Sequence, residues 1–262
     1  DSSTIAVTNP EGNHLFGRNF DWENCEAMVV VSHPENGYAS ISTVNMDFIT
    51  AGTSGAVRAA LKMDQVRTLA APYAPLDGMN EAGLAVSVNM IQDSATIAQN
   101  TDKPDITTTT AVRLLLNKAG NVEDALTLLE EYDLHASMGM MIHFALTDRT
   151  GRSVVVEYID QEMVVTETPV VTNFYLAEGE KHGIGTQQSH ERYDILTGLL
   201  AQRETMSSAD VRDALERVSK KNFDDYASTE WSIVFDLDAG TAQYYHRENY
   251  EQQYAFSLTE GE

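Results

Sequence analysis

Over the first ninety residues apolar positions tend to alternate with polar ones, and turn-forming clusters separate the runs. Thr4–Thr8 (TIAVT) and His14–Phe20 (HLFGRNF) predict a hairpin, joined by the turn formers Asn9-Pro10-Glu11-Gly12-Asn13. Ala27–Ser32 and Tyr38–Val44 predict two further strands. Asp77–Gly83 (DGMNEAG) reads as a turn leading into a strand over Leu84–Ile91. The period then changes. Thr108–Ala119 places Val112, Leu115 and Leu116 at helical spacing with Gly120 as a stop, and Asn121 caps a second helix with Ala125, Leu128 and Leu129 inward.

Met140–Thr147, Ser153–Ile159 and Met163–Thr168 predict a meander whose first turn is Asp148-Arg149-Thr150-Gly151. Helical spacing returns in Ser189–Gln202 and Ser207–Ser219, the latter with Val211, Leu215 and Val218 on one face. Trp231–Leu237 and Thr241–His246 predict a closing hairpin. Runs of strands alternating with pairs of helices favour an α+β layered fold over a βαβ repeat. No repeat or Pro/Gly-rich linker divides the chain, so one domain over residues 1–262 is the expectation.

Composition narrows the functions. Seventeen basic against forty acidic residues give a net charge of -23, which disfavours nucleic acid and anionic lipid as partners. No apolar run approaches the roughly 18 residues of a membrane span. Cys25 is the lone cysteine, so no internal disulfide forms. The seven histidines make no metal-binding spacing, and neither a GxGxxG turn nor a P-loop is present. The surroundings of Cys25 do not match a papain-type nucleophile, and the GxSxG elbow is missing. Cys25 is therefore expected to be structural. The opening on Asp1 rather than Met suggests a precursor whose upstream segment is removed, and with it an exported or cell-envelope protein, a cytoplasmic one being the alternative.

Several ordered segments carry more specific information. Gly12–Asp21 (GNHLFGRNFD), Asp77–Leu84 (DGMNEAGL) with Asn89 downstream, Asp148–Glu157 (DRTGRSVVVE), Thr172-Asn173 and Arg192-Tyr193 follow one another along the chain. Together they resemble the choloylglycine hydrolases, a family of linear amide hydrolases that includes bile salt hydrolases and penicillin V acylases. The resemblance implies the four-layer αββα sandwich of the N-terminal-nucleophile hydrolases. It also implies amide hydrolysis through an acyl-enzyme, with no cofactor and no metal. In register, Ser2 stands where the family has its catalytic cysteine.

The resemblance further implies a site of Ser2, Arg18, Asp21, Asn89, Asn173 and Arg192. The nucleophile's own α-amine, with an ordinary pKa near 8, acts as general base. Arg18 would favour a thiolate, and Asp21 would orient the amine. The Asn173 side chain and the Asn89 backbone N–H would bind the oxyanion, and Arg192 would complete the polar network. Read singly, each has a plainer alternative: Arg18 and Asp21 a surface pair, Asn89 a strand-end residue, Asn173 a loop residue, Arg192 a solvated helix residue.

Two features depart from the family pattern. Ser2 replaces the cysteine, and Asp1 precedes it, so the Ser2 nitrogen is an amide that cannot act as a base. The expectation is an inactivated variant made from a native cysteine enzyme; a natural serine nucleophile, with Asp1 a processing remnant, is the alternative. The substrates implied are small acyl amides such as N-acyl amino acids or conjugated bile salts. Acyl transfer to an amine, or binding without turnover, are the competing functions. The segment between Asn173 and Arg192 is shorter than in bile salt hydrolases, so their tetramer is not carried over and a homo-oligomer stays open.

Overall fold

A computed structural model describes residues 1–48, 74–220 and 228–259. Its central strands bury both faces, and the alternation assigns each face a different partner. Along β1 (Ser2–Thr8), Ile5 and Val7 join an apolar cluster with helical residues, while Ala6 points the other way. In β2 (His14–Trp22), Leu15 joins that same cluster, whereas Phe16 and Phe20 pack with residues of a second sheet. A strand that buries apolar groups on both sides belongs inside a sandwich.

The remaining strands are β3 (Ala27–Ser32), β4 (Ser40–Asn45), β5 (Asp77–Asn80), β6 (Ala85–Met90), β7 (Asp105–Thr107), β8 (Asp133–His135), β9 (Ile142–Thr147), β10 (Ser153–Ile159), β11 (Glu162–Glu167), β12 (Val170–Val171), β13 (Ser228–Asp236), β14 (Thr241–His246) and β15 (Tyr254–Ser257). One sheet has the order β12-β1-β2-β13-β14-β15 and the other β11-β10-β9-β6-β5-β4-β3; β7 and β8 pair separately, in parallel. Phe16, Phe20, Trp231, Ile233 and Phe235 of the first sheet meet Ile41, Met79, Ala85, Ala145 and Val155 of the second.

Helices α1 (Thr108–Lys118) and α2 (Val122–Glu130) cover the outer face of the seven-stranded sheet through Val112, Leu115, Leu116, Ala125 and Leu129. Helices α3 (Gln187–Gln202) and α4 (Ser208–Arg217) cover the six-stranded sheet through Leu196, Val211, Ala214 and Leu215. Asn121 caps α2 by accepting from the Asp124 N–H at 2.8 Å, as its sequence position predicts. The layering is αββα, the architecture expected from the sequence.

One sequence expectation is corrected. Asp77–Asn80 is not a turn but strand β5, paired with β4 through Thr43↔Asp77 and Ser40↔Asn80; only the residues after Asn80 turn. Burial between neighbouring strands overrides the turn preference of Asp, Gly and Asn. Gly78 shows how close that packing is. A Cβ there would lie 2.7 Å from the Ile41 carbonyl oxygen and 2.9 Å from Leu116 Cδ1. Gly78→Ala is expected to cost about 1–3 kcal/mol by overpacking, measured as a lower urea midpoint with an unchanged slope.

Candidate active site

The site is built where β1, β2 and β13 run side by side and the chain after β12 crosses over to the start of α3. Antiparallel pairing sets Ser2 opposite Phe20 and Thr4 opposite Arg18. The pairing continues outward: the Asp1 nitrogen donates to the Asp21 carbonyl at 2.9 Å, and Asp21 N donates to the Asp1 carbonyl at 2.8 Å. The peptide before Ser2 is thereby held in the sheet.

Ser2 is buried, and each of its polar atoms is engaged. Its N–H donates to Asn173 Oδ1 at 2.7 Å, and its hydroxyl donates to the Asp1 carbonyl at 2.6 Å. Arg192, from the second turn of α3, donates through Nη1 to the Ser2 carbonyl at 2.8 Å and to Ser3 Oγ at 2.7 Å, and through Nη2 to Asn173 Oδ1 at 3.0 Å. The same guanidinium lies 3.8 Å from the Asp21 carboxylate and 3.6 Å from that of Asp1, which Lys220 also contacts. Two donors converge on Asn173 Oδ1, which fixes the orientation of its amide. Its Nδ2 donates to the Met90 carbonyl at 2.6 Å.

Arg18 joins a second network in the layer between the sheets. Its Nε donates to Asp77 Oδ2 at 3.1 Å and its Nη1 to Asn89 Oδ1 at 3.0 Å. Trp231 Nε1 donates to the same Asp77 oxygen at 2.9 Å. Asn89 Nδ2 in turn donates to the Thr172 carbonyl at 3.1 Å and, at 3.3 Å, to that of Val171, and so reaches the segment carrying Asn173. Arg18 therefore bonds to Asp77 and Asn89 rather than to Ser2. Its Nη2, Asp21 Oδ2 and Arg192 Nε have no hydrogen-bond partner among the described residues.

Both Arg18 and Asp21 have no exposed surface, which removes the reading of them as a solvated pair. Burial is the largest influence on both guanidinium groups and lowers their pKa, with Asp77 opposing it at Arg18 and Asp21 at Arg192. Asp21 Oδ1 accepts from Thr229 Oγ1 at 2.7 Å. Cys25 is buried, and that burial, with Glu230 adding to it, pushes its thiol up to about 12. Such a thiol stays protonated at neutral pH.

Sequence reading passed over Asp77, Trp231, His143 and Glu157. Asp77 reads locally as a turn residue and Glu157 as a strand residue; Asp77 finds its partners across the sheets, and Glu157 on the neighbouring strand and on the chain after Asn173. At the rim, Asp93 accepts from Tyr175 Oη and from Lys181 Nζ, each at 2.7 Å. The Lys181 bond is the main reason its carboxyl falls from 3.8 to about 2. Its folded pKa is depressed, so its contribution is present above the ordinary carboxylate pKa and fades as pH falls through about 2. Asp93→Asn is expected to narrow the stability difference between pH 5 and pH 2 seen in urea melts.

Comparison with known proteins agrees with this architecture. Residues 2–176 match the model of the linear amide C–N hydrolases, choloylglycine hydrolase family. A mutant conjugated bile acid hydrolase from Clostridium perfringens superimposes with a TM-score of 0.73 at 18% identity, covering 100% of this chain and 94% of that one. Penicillin V acylase from Agrobacterium tumefaciens gives 0.63 at 18% identity, over 93% and 82% of the two chains. The N-acylethanolamine-hydrolyzing acid amidase ortholog of Caenorhabditis elegans gives 0.57 at 15%, over 90% and 93%. No sequence among curated proteins matches significantly. The fold is that of the N-terminal-nucleophile hydrolases. The chain belongs to the choloylglycine hydrolase family of linear amide C–N hydrolases.

Proposed function

We propose that this chain is the serine form of a cysteine amidohydrolase that cleaves small acyl amides once its nucleophile heads the chain. The observation that carries this reading is the setting of residue 2: buried at the start of β1, with its nitrogen on Asn173 and its carbonyl on Arg192. With cysteine there and Asp1 gone, the sulfur attacks the amide carbonyl and a C–S bond forms. The α-amino group relays the thiol proton to the departing amine as the C–N bond breaks. Water then attacks the thioester, releasing the carboxylic acid and the thiol.

Asn173 Nδ2, turning from the Met90 carbonyl, and the Asn89 backbone N–H are the proposed oxyanion donors. Arg18, one of whose nitrogens has no hydrogen-bond partner among the described residues, supplies positive charge beside the developing anion. A cleft of about 480 Å³ lies next to Met90, lined also by Ile91, Asp93, Met140 and Met141. Its thioethers suit an apolar acyl portion. Ser2 itself gives an inactive or very slow chain, because a hydroxyl is a poor nucleophile at neutral pH and its nitrogen is acylated by Asp1.

The test is intact mass of the Ser2→Cys chain, before and after exposure to bile-salt and fatty-acyl amino-acid conjugates. Loss of Asp1 followed by acyl addition or amine release is the expected result. Retention of Asp1 with every amide left intact would leave a protein that binds acyl amides without cleaving them.

A further inference from the structure

His143 and Glu157 take no part in the chemistry proposed above, yet they hold the chain on both sides of Asn173. His143 lies on β9 and Glu157 on β10, one step beyond the Phe144↔Val156 pair, and neither has any exposed surface. His143 Nδ1 is 3.0 Å from Glu157 Oε2, and its Nε2 is 2.9 Å from the Thr172 carbonyl. That carbonyl can only accept, so Nε2 carries a hydrogen. Glu157 in turn accepts from Leu176 N–H at 3.0 Å and from Ala177 N–H at 2.7 Å. The pair thus grips residue 172 before Asn173 and residues 176 and 177 after it.

The grip reaches the other site residues. The Thr172 carbonyl also accepts from Asn89 Nδ2, and the Thr172 hydroxyl donates to the Ser189 carbonyl at 2.9 Å, one turn before Arg192 on α3. In β6, Asn89 is the cross-strand partner of His143. Polar groups this deeply buried are costly, and apolar side chains of equal volume would fill the space at least as well. What the pair supplies instead is direction: one N–H aimed at one carbonyl, and one carboxyl receiving two successive backbone N–H groups.

We infer that His143 and Glu157 are positioning residues that fix the Thr172-Asn173 segment relative to Ser2, an inference that rests on reading Asn173 as an oxyanion donor. The test uses the Ser2→Cys chain and two substitutions. His143→Phe keeps volume and removes the aimed N–H. Glu157→Gln keeps an acceptor for Leu176 and Ala177 and offers N–H to His143 Nδ1. In His143→Phe, kcat is expected to fall about 100-fold with a much smaller change in KM, the effect of a small displacement at a reacting centre. Glu157→Gln is expected to retain most of the activity.

The side-chain amide resonance of Asn173, read by NMR on chains labelled with 15N-asparagine, gives an answer independent of turnover. It is expected to move in His143→Phe and stay in Glu157→Gln. An unmoved resonance in His143→Phe overturns the inference, as does an unchanged kcat in an active parent. Equal losses in both variants that track their melting temperatures also overturn it, because that is the signature of a merely structural role. If His143→Phe does not fold, His143→Gln, which cannot face both partners at once, takes its place under the same criteria. A Ser2→Cys parent with no activity on any amide sinks the amidase reading instead, and the Asn173 resonance still decides this one.

Discussion

Replacing Ser2 by cysteine, in chains prepared to begin at residue 2, is expected to raise amide hydrolysis by about 10²–10⁴-fold over the serine chain. That range is what assisted proton removal is worth in a transition state. A thiol has a pKa near 8.5 and yields some thiolate at neutral pH, whereas the serine hydroxyl needs its proton taken during attack. The surroundings favour the difference. The buried guanidinium groups of Arg192 and Arg18 lie around the start of β1 and favour a developing negative charge. Amine release measured on both chains under identical conditions decides the matter. Equal rates would make serine the natural nucleophile of this protein.

Asp77→Ala is expected to destabilise the fold by about 3–5 kcal/mol, the usual cost of removing one partner from a buried pair. Asp77 and Arg18 are both without exposed surface, and their 3.1 Å bond lies between the two sheets. Without the carboxylate, Arg18 would keep only its bond to Asn89, and the Trp231 indole N–H would lose its acceptor. The charge left behind is on a side chain with no exposed surface. Urea denaturation gives the loss directly, and Asp77→Asn, which retains an oxygen acceptor, is expected to lose less. A fall of under 1 kcal/mol for the alanine variant would mean that water enters between the sheets and solvates Arg18.

The sequence reading reached the strands that bury both faces, because Phe16, Phe20, Ile233 and Phe235 keep a two-residue period whichever layer they meet. It reached α2 and its Asn121 cap for an equally local reason. It misread Asp77–Asn80, since Asp, Gly and Asn signal turns locally and only the pairing with β4 makes them a strand. The short strands β7, β8, β12 and β15 were passed over because two to four residues carry too little periodicity. The residues proposed for catalysis were legible through family resemblance, not through spacing alone. His143 belongs to no motif quoted, and its significance depends on a register that sets it opposite Asn89. Trp231 faces Phe20 only because β13 shifts register between Thr229 and Trp231, a bulge that no local pattern announces.

The sheet order that sets β2 between β1 and β13 has a kinetic consequence. Asp21 meets Thr229 across 208 positions of sequence, and Ser2 meets Asn173 across 171. Closing loops of that length is entropically unfavourable and comes late in folding, so assembly of this centre is slow compared with formation of the local hairpins. A chain emerging from the ribosome holds Ser2 long before it holds Asn173, Arg192 or Thr229. Any scission of the bond before residue 2 that depends on these groups therefore waits for nearly the whole chain to be synthesised. On the proposed mechanism, a cysteine at position 2 would then be unmasked only in a finished fold, and nascent, half-formed chains would carry no reactive N-terminal thiol.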